Sequence, residues 1–223
     1  MDVIRLCIFD LDGTLINSLK DLADCCNAVL ATEGLPEHPV DAYRHFVGNG
    51  IPKLIERILP EGERTEEKMA RIRVQFDERY QAHCLDDTKP YPGIVHLLDE
   101  CRNKGILLAV LSNKADPFAK FICQQIFGYK AFDAVSGQKA QVPKKPAPDG
   151  VFSLLKKFHT LPEESVFIGG SNVDILTAKN AGIYSIGACW GFRGRDELEK
   201  AGADMLADDP AECENIIFDK KWR

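Results

Sequence analysis

No run of apolar residues in this sequence approaches the roughly 20 needed to cross a bilayer as a helix, so no membrane-spanning segment is expected. The eight cysteines (Cys7, Cys25, Cys26, Cys84, Cys101, Cys123, Cys189, Cys213) form no C-x-x-C pair and no metal-finger spacing. Several fall on apolar faces, where a free thiol behaves as a small hydrophobe. The Met1 segment runs straight into an apolar strand, without the regions of a secretory leader. These features together predict a reduced, cytoplasmic protein. Positive charge is also in short supply. The net charge of −6 argues against broad nucleic-acid or anionic-membrane surfaces. A small anionic ligand stays open, because local charge decides that. No internal repeat and no low-complexity stretch appears. What is there is an ordinary globular balance, 45% hydrophobic and 28% charged, over 223 residues. That length suits one or two domains.

The chain is organised around Leu6-Cys7-Ile8-Phe9-Asp10-Leu11-Asp12-Gly13-Thr14-Leu15. Its apolar run reads as a buried strand, and in an open parallel sheet ligands gather at the carboxyl ends of strands. Asp10 and Asp12 stand at i and i+2, on the same side of an extended backbone. They would repel unless a cation or a proton sits between them. Mg²⁺, which prefers carboxylate and carbonyl oxygens, is one solution. Gly13 allows a sharp turn, and Thr14 offers a hydroxyl and an N–H to an anionic oxygen.

Ser18 with Asp21 fits a capping box opening a helix, with Leu19, Leu22, Ala23, Cys26 and Leu30 on one face. From Val40 to His83 the pattern stays helical, interrupted at Phe46 to Pro52, with no strand-like alternation. Two apolar stripes run through it, Ile51, Leu54, Ile55, Ile58 and Leu59, then Met69, Ile72, Phe76 and Tyr80. Thr88 to Gly93 reads as a Pro/Gly linker. From Ile94 onward helical stripes alternate with short apolar runs at 106–111, 132–137, 166–168, 184–188 and 203–207. Such alternation means βαβ units and a parallel sheet. The expected fold is α/β, a doubly wound, Rossmann-like parallel sheet core with an inserted all-helical cap. The expected core is 1–16 and 90–223, and the cap 17–89.

Four strand ends carry polar residues: Asp10 to Thr14, Ser112-Asn113, Lys145 ahead of Pro146-Ala147-Pro148-Asp149, and Gly170 to Asp174. Hydroxyl, amide and N–H groups at the second can hold phosphoryl oxygens, and Lys145 supplies positive charge. Each has a plainer reading: Ser112-Asn113 as a helix cap, Lys145 as a solvated lysine, and Ser171 with Asp174 as a capping box. Their order, each near a strand end of one sheet, favours a functional site.

These motifs resemble those of the haloacid dehalogenase superfamily, in the branch with a helical cap inserted after the first strand. Val47-Gly48-Asn49-Gly50 and Thr177 to Gly182 are similar to its phosphoglycolate phosphatase-like members. The resemblance implies a Mg²⁺-dependent phosphatase of a small phosphorylated metabolite. Asp10 would attack phosphorus and form an aspartyl phosphate. Asp12 would serve as general acid and then base, with its pKa raised relative to Asp10. Mg²⁺ would be held by Asp10, Asp12 and Asp174. Gly13, Thr14, Ser112, Asn113 and Lys145 would hold the phosphoryl group, with Gly48 and Asn49 approaching the substrate from the cap. Gly170 stands where similar proteins carry an Asp that binds the metal directly. Its presence keeps two alternatives in view, a weakly catalytic phospho-ligand-binding protein and a phosphomutase of the same architecture.

Overall fold

The computed structural model describes residues 4–219; Met1, on which the reading of a leaderless start rests, lies outside them. Every residue of β1 (Leu6–Phe9) is buried. A two-residue strand β2 (Ile16–Asn17) leads into four insert helices, α1 (Leu19–Thr32), α2 (Tyr43–Phe46), α3 (Ile51–Ile58) and α4 (Glu66–His83). Strand β3 (Lys89–Pro90) brings the chain back. There follow α5 (Ile94–Asn103), β4 (Leu107–Ala115), α6 (Asp116–Phe127), β5 (Ala134–Gln138) and α7 (Asp149–Phe158). The last elements are β6 (Ser165–Gly169), α8 (Asn172–Ala181), β7 (Tyr184–Ala188), α9 (Arg195–Ala201), β8 (Met205–Ala207) and α10 (Pro210–Phe218).

Six strands form one parallel sheet in the order β5-β4-β1-β6-β7-β8. The order reverses at β1, which pairs with β4 on one side and β6 on the other. A crevice opens at such a reversal, beyond the carboxyl ends of the strands. Alternation along β1 splits the core. Leu6 and Ile8 pack with Val151, Leu154 and Ala178 of α7 and α8. Cys7 and Phe9 face the opposite layer, whose cluster includes Leu97, Ile122 and Cys213. That cluster runs on without a break into the insert through Leu22, Ile55, Ile72 and Phe76. No helix among the described residues is long and apolar enough to cross a membrane, and all eight cysteines are free thiols.

Three local expectations change. The 88–93 linker is part of a ribbon, since Ile16 and Asn17 pair antiparallel with Pro90 and Lys89. A two-residue strand containing Pro carries no readable period. Ser18 precedes α1 but makes no capping bond with its side chain; its hydroxyl donates to Asp12 Oδ1 at 2.5 Å. The Asp21 carboxylate instead accepts from the N–H groups of Asp87 and Thr88, both at 2.9 Å, and from Thr88 Oγ1 at 2.6 Å. This pins the end of the insert to its first helix. Finally, β4 does not stop at Leu111 but runs to Ala115, with its pairing to β5 shifted between those two residues. Such an irregularity re-aims the side chains inside it, and these are Ser112, Asn113 and Lys114.

Candidate active site

Asp10 follows β1 directly, its N–H donating to Ile168 O of β6 at 2.9 Å. The next turn folds onto itself. Gly13 N–H donates to Ile16 O at 2.8 Å and Thr14 N–H to Leu11 O at 3.3 Å. Gly13 has φ +82°, and a Cβ there would lie 2.7 Å from the Phe192 ring, so only glycine fits. Thr14 is fully buried, and its hydroxyl accepts from Gly170 N–H at 2.9 Å. Gly13 and Thr14 therefore shape the turn. Their amide N–H groups bond within it.

Lys145 reaches the same strand tip from the loop before α7. Its Nζ lies 2.8 Å from Asp10 Oδ1 and 2.6 Å from Asp174 Oδ1, and all three residues are buried. Asp174 Oδ2 also accepts from Ser171 N–H and Oγ, at 3.1 and 2.8 Å. The helix-capping and site readings of Asp174 thus hold together. One ammonium shared between two buried acids leaves Asp10 poorly compensated. Burial, then repulsion from Asp174, pushes its carboxyl from 3.8 up to about 7. Burial works to lower Lys145, but Asp10 and Asp174 outweigh it and hold the amine above its ordinary value.

The second acid has its own cation, which motif reading missed. Lys114 Nζ donates to both oxygens of Asp12, at 3.0 and 3.1 Å, and to Tyr80 Oη at 2.8 Å. Lys114 follows Ser112 by two places and borders the same cavity. Its place at the end of an apolar strand, beside Ser112-Asn113, was the available signal. Tyr80 reads as one member of an apolar stripe, and only the packing of α4 over β4 shows where its hydroxyl points.

Ser112 and Asn113 divide the work expected of them. Ser112 borders the cavity, its Oγ accepting from Lys114 N–H at 3.2 Å and its O–H left to donate. Asn113 has partners elsewhere. Its Nδ2 donates to Gly48 O and Lys145 O, both at 3.1 Å, and its Oδ1 accepts from Lys145 N–H at 2.9 Å. It ties insert to core while also bordering the cavity. Two more core residues make such ties. Arg193 Nη2 donates to Val47 O at 2.9 Å and Lys144 Nζ to Asn49 O at 3.0 Å. Three successive carbonyls of the insert loop are thus held by the core. Gly48 borders the cavity and Asn49 does not. Arg44 and Lys53 pair with Asp41 and Glu56 at the surface and stay outside it.

The cavity has a polar pole of Asp10, Asp12, Ser112 and Lys114 and an apolar wall of Leu22, Val47, Ile51 and Leu54. Its free volume is about 30 Å³. That accommodates about one or two waters, so the insert is closed over the site and must shift to admit an ester.

The donors present test whether a divalent ion fits. Among the described residues no three His, Cys, Asp or Glu side chains are grouped to hold one. Both Asp12 oxygens are bonded to Ser18 or Lys114, and both Asp174 oxygens to Lys145 or Ser171. Asp174 is therefore the acid that orients Lys145, and its contacts do not offer the metal a ligand. Position 170 adds nothing, since a Cβ there would lie 2.4 Å from Gly13 O. What remains is the second oxygen of Asp10 and the Asp12 carbonyl. Mg²⁺ commonly takes one or two carboxylates, several waters and substrate phosphate oxygens, so this short set fits a sparsely held ion. The contact at position 170 carries a prediction. Gly170→Ala forces a backbone shift in the Asp12–Thr14 turn, and such overpacking costs about 1–3 kcal/mol. At about 2–4 °C per kcal/mol, a lowered melting temperature checks it. Gly170→Asp meets the same obstacle, so it does not simply return a ligand.

Comparison with known proteins agrees with this geometry. Residues 7–188 match the model of the haloacid dehalogenase-like hydrolase family. The chain is 34% identical over 194 residues to a phosphoglycolate phosphatase of Aquifex aeolicus, covering 84% of this chain and 86% of that protein. It is also 34% identical over 214 residues to the phosphoglycolate phosphatase of Vibrio cholerae, covering 94% and 95%. A solved structure from Lactobacillus delbrueckii subsp. bulgaricus superposes with a TM-score of 0.91 at 30% identity, covering 96% of this chain and 98% of that one. CbbY of Rhodobacter sphaeroides, solved with phosphate, gives 0.79 at 28% identity, covering 94% and 96%. With its paired acids at the tip of β1, Lys145 between two strand ends and a helical insert closed over them, the chain belongs to the haloacid dehalogenase-like hydrolase family.

Proposed function

We propose that this chain is a phosphatase of small phosphomonoesters, in which Asp10 is the nucleophile and Asp12 the proton donor and acceptor. The observation that carries this reading is Lys145, held between Asp10 and Asp174 at 2.8 and 2.6 Å, with Asp10 and Ser112 bordering one cavity. Phosphoryl transfer needs positioning and charge neutralisation above all. A buried ammonium bonded to Asp10 and an O–H of Ser112 on the cavity wall supply both. Asp10 attacks phosphorus while the ester P–O bond breaks, and the leaving alkoxide takes a proton from Asp12. Water then attacks the aspartyl phosphate and loses its proton to Asp12, which releases phosphate and regenerates Asp10. Mg²⁺, held by Asp10 and the Asp12 carbonyl, would neutralise charge on the transferring group. Closure of the insert excludes competing water, with Arg193, Asn113 and Lys144 fastening it.

The names of the relatives make 2-phosphoglycolate the first ester to test, and the apolar wall suits a compact leaving group. The free thiols suit a reducing cytoplasm. Phosphate release is expected from such an ester, to fall on dialysis against EDTA and to return with Mg²⁺. Full release in EDTA would place charge neutralisation on the two lysines alone. A phospho-ligand-binding protein is the second reading, and Gly170 is the observation that favours it. Tight phosphate-ester binding without any release across a broad panel would select it.

A further inference from the structure

The apposition of two acids at a strand tip calls for positive charge beside each, and this fold supplies it twice from the chain. Lys145 serves Asp10. Lys114 serves Asp12, and it does so with its side chain 2% exposed and its ammonium fully engaged by Asp12 Oδ1, Asp12 Oδ2 and Tyr80 Oη. Ser18 Oγ donates to Asp12 Oδ1 from the other side, at 2.5 Å. The carboxylate is therefore clamped between β4 of the core and the entrance to α1. Tyr80 adds the insert's α4 to the clamp, stacked on Phe76 at 5.3 Å and edge-on to Phe118 at 5.3 Å. Lys114 is not a bystander in the wall, since it borders the cavity with Asp12 and Ser112.

We propose that Lys114 is a positioning residue that holds the Asp12 carboxyl in line with the leaving oxygen, and that Tyr80 makes this hold depend on the insert being closed. The assignment rests on the phosphatase reading above. Lys114 touches neither the phosphorus nor the leaving group. It acts through Asp12, so removing it harms the step in which a proton reaches the leaving oxygen. It spares the transfer of the phosphoryl group to Asp10 when the leaving group needs no such proton, while the later hydrolysis, in which Asp12 is the base, slows equally for every ester. General acid help of this kind is worth on the order of 10²–10⁴ in rate.

The test compares two esters, glycerol 2-phosphate, whose alkoxide must be protonated to leave, and p-nitrophenyl phosphate, whose phenolate leaves without a proton. In Lys114→Met, kcat/KM for the alkyl ester, which reports the steps up to departure of the leaving group, is expected to fall about 10²-fold or more. For the aryl ester kcat/KM falls much less. Tyr80→Phe removes only a hydroxyl and keeps the ring packing. It should show the same split at smaller amplitude, which keeps the test usable if Lys114→Met folds poorly. Equal losses of kcat/KM on the two esters in Tyr80→Phe and Lys114→Met, or no loss on either, overturn the proposal while leaving the phosphatase reading intact. A wild type inert toward both esters removes that reading and this proposal with it.

Discussion

Asp10→Asn is expected to lose phosphate release by at least about 10³-fold, the scale seen when an acting nucleophile is removed, and to melt at a higher temperature than the wild type at pH 8. The first effect follows from chemistry, because the neutral amide does not form the aspartyl phosphate. The second follows from burial. Asp10 titrates near 3.8 in an unfolded chain and about 7 here, with desolvation and Asp174 as the leading causes. A carboxyl whose folded pKa is raised binds more protons in the native state between these two values. Stability therefore falls as pH rises through that window, and the penalty is complete above about 7. Asn carries no such penalty. The gap between variant and wild type should be widest at pH 8 and close toward pH 4, as read by thermal melts without added metal. A variant that melts lower at pH 8, or a gap that widens in acid, would contradict the uncompensated state of Asp10. Stability held below its attainable value at a reacting group is the usual trade between folding and function.

Lys145→Met is expected to cost both fold and activity. Removing one partner from a buried ion pair costs about 3–5 kcal/mol, because charge is left without compensation. At about 2–4 °C per kcal/mol for a chain of this size, the melting temperature should drop by about 6–20 °C. The direction with pH is again fixed by the acids left behind. Without the ammonium, nothing offsets the repulsion of Asp10 by Asp174 in a buried site, so Asp10 protonates more readily still in the folded state. The deficit is then largest above neutrality and shrinks as pH falls. Melts at pH 8 and pH 5.5 decide it, and a deficit that grows in acid would sink this account. Turnover measured well below the melting temperature separates the lost phosphoryl anchor from the lost stability. Lys114→Met removes a buried cation too. It leaves Asp12 with Ser18 as a donor, and its signature is the dependence on leaving group, so the two lysines are distinguishable.

Several elements were legible because their signals are local. Leu6 to Phe9 reads as a strand from its own apolar run. Asp10 and Asp12 read as a pair from their spacing, and the alternation from Ile94 onward implies a parallel sheet. The strand tips named there do bring Asp10, Asp12, Ser112, Lys145 and Asp174 together. The parts that misread are those where a short polar group chooses between a near partner and a distant one. Asp21 fits a cap for Ser18 but binds the chain at Asp87 and Thr88. Asn113, read as a phosphate holder, borders the cavity and also bridges Gly48 and Lys145, a second task no local signal gives.

By itself the sequence determined the order of strands and helices, the place where two acids meet, and the lack of a side chain at Gly170. Backbone periodicity and residue identity are carried by neighbours along the chain, and they need no fold to be read. Only the tertiary structure decided which cation serves which acid, why Gly170 has no room beside Gly13, and that Tyr80 of the insert reaches Lys114 of the core. Those are distances between residues far apart in the chain. They are set by how the sheet order and the closed insert bring them together.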